Sequence, residues 1–73
     1  MDNTNNSAAP ETFLDVAQVG MGFITFRISG PSHAPGEVIG RIGSHMNKRA
    51  AFKAARAEAA LTGEVVTFGG RTI

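Results

Sequence analysis

His33 and His45 are the only imidazoles in this chain, and it has no cysteine. With Asp15 or Glu37 the two histidines could in principle ligate a metal. Both fall in turn-rich sequence read as loop, without the short ligand spacing a metal site needs, so no metal is expected. The lack of cysteine excludes disulfides, thiolate zinc sites and a cysteine nucleophile together. Ser44 stands beside His45, but adjacent side chains point apart and no carboxylate is placed to orient the ring, so the pair is not a triad. Glu11, Asp15 and Glu37 show no pairing suited to acid–base work. "GEVIGRIGS" is rich in glycine but lacks the Gly-Lys-Ser/Thr ending of a phosphate loop and the spacing of a dinucleotide fingerprint. No catalytic set and no cofactor are expected, and the chain is not read as an enzyme. One cluster is left: Lys48, Arg49, Lys53 and Arg56, with Phe52 among them. Cations around an aromatic ring suit binding, either to an acidic protein surface or to phosphates.

The element that must position this cluster is "NKRAAFKAARAEAALTG", Asn47 to Gly63. Its alanines favour a helix, Asn47 suits the N-cap, and Gly63 stands where a left-handed residue ends one. At about 100° per residue, Ala50, Ala54, Ala57 and Leu61 fall on one stripe. Phe52, Ala55 and Ala59, flanked by Ala51 and Thr62, fall on a nearly opposite one. Arg49, Lys53 and Arg56 fill the seam between them, and Glu58 marks the other flank. A helix laid on a sheet needs only one apolar stripe. Either Phe52 anchors the core and the other stripe is merely exposed alanine, or one stripe meets the sheet and the other a partner. A second copy is one such partner, with the spare alanine stripe as a dimer seam.

The remaining elements are short. "FITFRIS" alternates, with Ile24, Phe26 and Ile28 on one side and Phe23, Thr25 and Arg27 on the other, which predicts a strand. "GPSHAPG" reads as a loop. "EVIGRIGS" is a second strand, where Gly40 and Gly43 suggest a bulge or a close backbone approach. "PETFLDVAQVG" fits a helix or a strand, and "GEVVTFGGRTI" a last strand with a Gly-Gly turn. The expected fold class is α+β: a small antiparallel sheet of three to four strands with one helix packed on one face, ordered (β or α)-β-β-α-β. Residues 1–12 are expected to be a disordered polar tail and residues 13–73 the single domain. "GSHM", Gly43 to Met46, coincides with a tetrapeptide that expression vectors leave behind; inside the chain, coincidence is the better reading.

With 73 residues and 42% hydrophobic content, much of it alanine, the core is thin, and homodimerisation is one way to stabilise it. A net charge of +1 gives no overall pull towards nucleic acid or anionic lipid, so any such role must rest on local clustering. No run is apolar enough to span a bilayer, and the N-terminal residues do not read as a signal peptide. The expected compartment is the cytoplasm.

Two resemblances follow from these residues. "GPSH" after a strand, then "GEVIGRIGS" and "NKRAAFKAARAEAAL", resembles the double-stranded-RNA-binding domain. That resemblance implies a minor-groove contact for His33 and phosphate contacts for Lys48 and Arg49, with Lys53 one place beyond the family's third basic position, which Phe52 occupies. The interval from loop to helix is also about one strand too short for that family. From Glu37 onward, the strand, the "AxxxAxxxA" helix and "GEVV.F" with a terminal Gly-Arg-x-Ile resemble small ββαβ proteins of phages and mobile elements, several anti-CRISPR proteins among them. This implies stoichiometric binding to a host protein or nucleoprotein complex, in the host cytoplasm, through Lys48, Arg49, Phe52, Lys53 and Arg56.

Overall fold

A computed structural model describes residues 11–73. β1 (Thr12–Val19), β2 (Gly22–Ser29) and β3 (Val38–His45) lead into α1 (Lys48–Thr62), followed by β4 (Val66–Phe68) and β5 (Arg71–Thr72). The five strands form one sheet in the order β3-β2-β1-β4-β5. The α+β class with a helix on a sheet is therefore found, and the ambiguous first segment is a strand. Of the tail expected over residues 1–12, residues 1–10 lie outside the described residues. Glu11 and Thr12 already belong to the fold: Gly30 N donates to Glu11 O at 2.6 Å, and Thr12 pairs with Ser29.

The sheet is mixed, not antiparallel, and has five strands instead of three to four. β1–β2, β2–β3 and β4–β5 are antiparallel, but β4 runs parallel to β1, with Leu14 beside Val66 and Val16 beside Phe68. Direction explains this. β3 runs the same way as β1, the helix carries the chain back, and β4 must then run with β1 as well. β3's own outer edge is a poor place for it, because the β2–β3 register slips twice, leaving Ile42 and Ile39 as extra residues. The bulges adjoin Gly40 and Gly43, where the sequence suggested them. Gly43, Ser44 and His45 pair with Thr25, Ile24 and Phe23, so "GSHM" is an integral part of the strand-to-helix passage. His45 is thus a strand residue, not a loop residue.

Residue pairing divides the sheet faces. Leu14, Val16, Val66 and Phe68 share one face with Phe23, Thr25 and Arg27, and α1 lies across it. Leu14, Val16, Ala51, Ala55 and Val66 form the buried core, with Phe23, Phe52, Ala59 and Phe68 packed at its margin. The Phe52–Ala59 stripe is therefore the one that meets the sheet. Its deepest residues are alanines, which let helix and sheet approach closely, and Phe52 closes the edge. Leu61, on the other stripe, is 85% exposed.

The helix ends are well satisfied. Asn47 Oδ1 accepts from Ala50 N at 2.8 Å. Gly63 takes φ +82°, a left-handed conformation costly for any residue with a Cβ, and its N–H reaches Ala59 O at 2.7 Å.

Beneath the C-terminal half of α1, Arg27 points inward from β2 and finds two carboxylates. Its Nε donates to Glu64 Oε2 at 2.8 Å, and its Nη2 to Glu64 Oε1 at 2.7 Å and Glu58 Oε2 at 2.8 Å. Thr12 and Thr62 hydroxyls donate to the remaining lone pairs of Glu64 at 2.5 and 2.7 Å. This network ties β1, β2, α1 and the α1–β4 connection together. A charged strand residue on the helix-facing side requires such a partner, since an unpaired buried charge would be very costly. The Arg27 guanidinium and the two hydroxyls outweigh desolvation and pull the Glu64 carboxyl down to about 2.

Candidate binding surface on the helix flank

Along α1, Lys48, Arg49, Phe52, Lys53 and Arg56 recur at intervals of three and four, so successive turns bring all five to one flank. They line a single open depression of about 490 Å³. All five residues expected to bind a partner are thus adjacent in space. The four cations are exposed and Phe52 is half-buried.

The ring among the cations has a structural partner that the sequence hid. Phe68, arriving on β4, meets Phe52 edge to face at 5.3 Å between centroids. Lys48 Nζ lies 5.1 Å from the Phe68 centroid and 6.0 Å from that of Phe52, and the Arg56 guanidinium carbon lies 5.7 Å from Phe52. Such contacts are each worth about 0.5–1 kcal/mol at exposed sites. They hold two of the cations against an aromatic floor, so part of the surface is pre-shaped.

Electrostatically the first two cations of the cluster, Lys48 and Arg49, sit at the wrong end of the helix for stability. The first turn contains no acidic residue and the last no basic one. The macrodipole puts partial positive charge where Lys48 and Arg49 lie, costing about 0.3–1 kcal/mol per cation. Among the described residues, ion pairs involve only Arg27 with Glu58 and Glu64, so no carboxylate there neutralises Lys48, Arg49, Lys53 or Arg56. The result is a concentrated positive patch on a chain of nearly zero net charge.

His33 is elsewhere. With Pro31 and Ser32 it borders a recess against Thr12, Phe13, Gly63 and Val65, at the C-terminal end of α1. The helix has 15 residues, so this recess lies roughly 20 Å from Lys48 and Arg49. The alternative nucleic-acid set, His33 with Lys48, Arg49 and Lys53, is not gathered into one surface. His45 closes β3, and its Nδ1 is buried without a hydrogen-bond partner among the described residues. Among those residues no three His, Asp or Glu side chains converge. No helix there is long and apolar enough to cross a membrane.

Two features escaped sequence reasoning. Phe68 as floor of the patch depends on the parallel β1–β4 pairing, which no local pattern announces. Asp15, on the face away from the helix, accepts from the Thr67 hydroxyl and from Gly70 N, the latter at 3.1 Å, and so holds the Gly69–Gly70 turn against β1. Comparison with protein-family models, curated proteins and solved structures yields no match to this chain.

Proposed function

We propose that the protein is a non-enzymatic binding module whose α1 flank docks on an acidic protein surface. Lys48, Arg49, Lys53 and Arg56 supply the charge, and Phe52 is the apolar anchor inside the charged rim. The observation that carries this reading is the gathering of four exposed cations on one helix flank, unneutralised among the described residues, two of which, Lys48 and Arg49, oppose the macrodipole in the first turn. An arrangement that lowers the stability of its own helix is better explained by a partner than by folding.

The resemblance to small phage and mobile-element proteins extends the proposal. The acidic surface would belong to a host nucleoprotein complex, and one-to-one occupation of a nucleic-acid path there would inhibit it, as anti-CRISPR proteins do. Direct binding of double-stranded RNA is less favoured, because His33 and the helix cations lie at opposite ends of α1.

The test is capture from a native host lysate on the immobilised chain, with mass-spectrometric identification, using wild type and the triple variant Arg49→Glu/Lys53→Glu/Arg56→Glu. The variant is expected to keep its circular-dichroism spectrum, gain slightly in thermal stability, and lose the partner. Retention of the same partner by the variant would rule out this surface. A duplex RNA that shifts the wild type at low salt, with steep weakening as salt rises, would favour the nucleic-acid reading.

A further inference from the structure

Around the axis of α1 the five residues of the basic flank fall into two rows. Lys48, Phe52 and Arg56 follow one another at intervals of four in the inner row, and Arg49 and Lys53 do so in the outer row. The depression of about 490 Å³ is lined by these two rows, so it is the groove between neighbouring ridges of a single helix. Both of its ends are cationic: Lys48 stands across from Arg49 at one, and Arg56 stands with Lys53 at the other. Between them lies half-buried Phe52, flanked by the aliphatic stems of the lysines and arginines.

A groove of this kind selects the shape of its occupant. Side chains spaced four apart on a second helix form a ridge that fits between two such ridges, with the axes crossing at about −50°. An extended segment gains most of its affinity from main-chain hydrogen bonds to a sheet edge, and a helix flank offers none. Charge then sets the occupant's composition. Carboxylates are needed where the ridge passes the two cationic ends, and an apolar side chain where it crosses Phe52. From Lys48 to Arg56 the groove runs two steps of four residues, about 12 Å along the axis. A partner ridge with an apolar residue at its centre and an acidic residue four positions to either side covers the same length, so both ends are met at once.

Resting on the acidic-protein reading of this flank, we infer that the partner presents an acidic amphipathic helix. It docks across α1 with one apolar residue on Phe52, one carboxylate between Lys48 and Arg49, and a second at Arg56 and Lys53. Two observations favour this packed arrangement over diffuse attraction. Lys48 rests against the Phe52 and Phe68 rings and Arg56 against Phe52, so a cation is held in place at each end of the groove. Among the described residues no carboxylate competes for them, because Glu58 and Glu64 are engaged by Arg27.

The probe is a symmetric, alanine-rich helical peptide of about 17 residues, with Leu at its centre and Glu four positions before and after it. Its symmetry serves either chain direction. Titrated into the nitrogen-15-labelled full chain at low salt, it is expected to shift the amides of residues 48–56 and of Phe68, and to become more helical itself. Replacing the Leu by Ala, or moving both Glu next to the Leu, should weaken binding at least about fivefold. Two internal prolines, which forbid the helix, should do the same. The chain variant Arg49→Glu/Lys53→Glu/Arg56→Glu should not bind. Equal binding by the rearranged or proline-containing peptide overturns the inference, since only attraction of a polyanion would remain. No binding up to about 1 mM, or shifts confined to other parts of the chain, overturns it as well. Lysate capture reads the flank separately: a partner held by wild type and lost by the triple variant keeps the acidic-surface reading standing when the peptide fails.

Discussion

Neutralising Glu64 should strongly destabilise this protein, because its carboxylate anchors the Arg27 network. The Glu64 side chain is 1% exposed and accepts two hydrogen bonds from Arg27, one from Thr12 and one from Thr62. Its carboxyl falls from an ordinary 4.5 to about 2 in the fold. At roughly 1.4 kcal/mol per pH unit, the preference of the folded state for ionised Glu64 amounts to about 3 kcal/mol. The sign follows from proton binding: the unfolded chain binds the proton more tightly, so this stability is fully present above pH 4.5. It drains away as pH falls from 4.5 towards 2. A chain of 73 residues has a total stability of only about 4–11 kcal/mol, so the term is a large share of it. Glu64→Gln should therefore lose about 3 kcal/mol at pH 7 and show a flatter decline between pH 4.5 and 2. Urea unfolding followed at 222 nm measures both, and reports on α1 in a protein without Trp or Tyr. A variant within about 0.5 kcal/mol of wild type at pH 7, or one with an acid limb as steep, would show that the network adds no net stability. That outcome is physically possible, because desolvating charges can cancel their attraction.

Two other perturbations probe the frame that carries the binding surface. Asn47→Ala removes the acceptor for Ala50 N and should cost about 1 kcal/mol, read as a lower urea midpoint with unchanged slope. Asp15→Ala unlatches the β4–β5 turn. It should cost about 1–3 kcal/mol and speed hydrogen exchange at Gly70 and Ile73 before that of the core strands.

How far the sequence disclosed this architecture depended on whether each signal was local. The helix bounds were legible because Asn47 and Gly63 each serve a backbone need within four residues. So were the alternation of β2 and the bulged character of β3, which show in side-chain types and glycines. The five residues of the basic flank could be grouped because helical spacing alone makes them neighbours. The parallel β1–β4 pair was not legible. It depends on where the chain returns after α1, and nothing in "GEVVTF" distinguishes an antiparallel neighbour from a parallel one. Phe68 under Lys48 and the Asp15 latch were hidden with it. Arg27 was half legible: its place on the inward side of β2 demanded a counter-charge, but Glu64 lies 37 residues later. The first strand stayed ambiguous because Ala17 and Val19 interrupt a clean alternation.

The position of β1 bears on how a ribosome can deliver this protein. β1 is central in the sheet, yet the residues that complete its second side come only after α1, with Thr12 and Glu64 separated by 52 positions. While residues 64–73 are still unmade, the emerging polypeptide can form the β1–β2–β3 meander and α1, but one edge of β1 has no ladder and Arg27 lacks its principal counter-ion. Such an intermediate is a natural client for holdase chaperones. Maturation must then wait until β4 and β5 have left the ribosome, and a polypeptide cut short after α1 would be fit for degradation more than for any task.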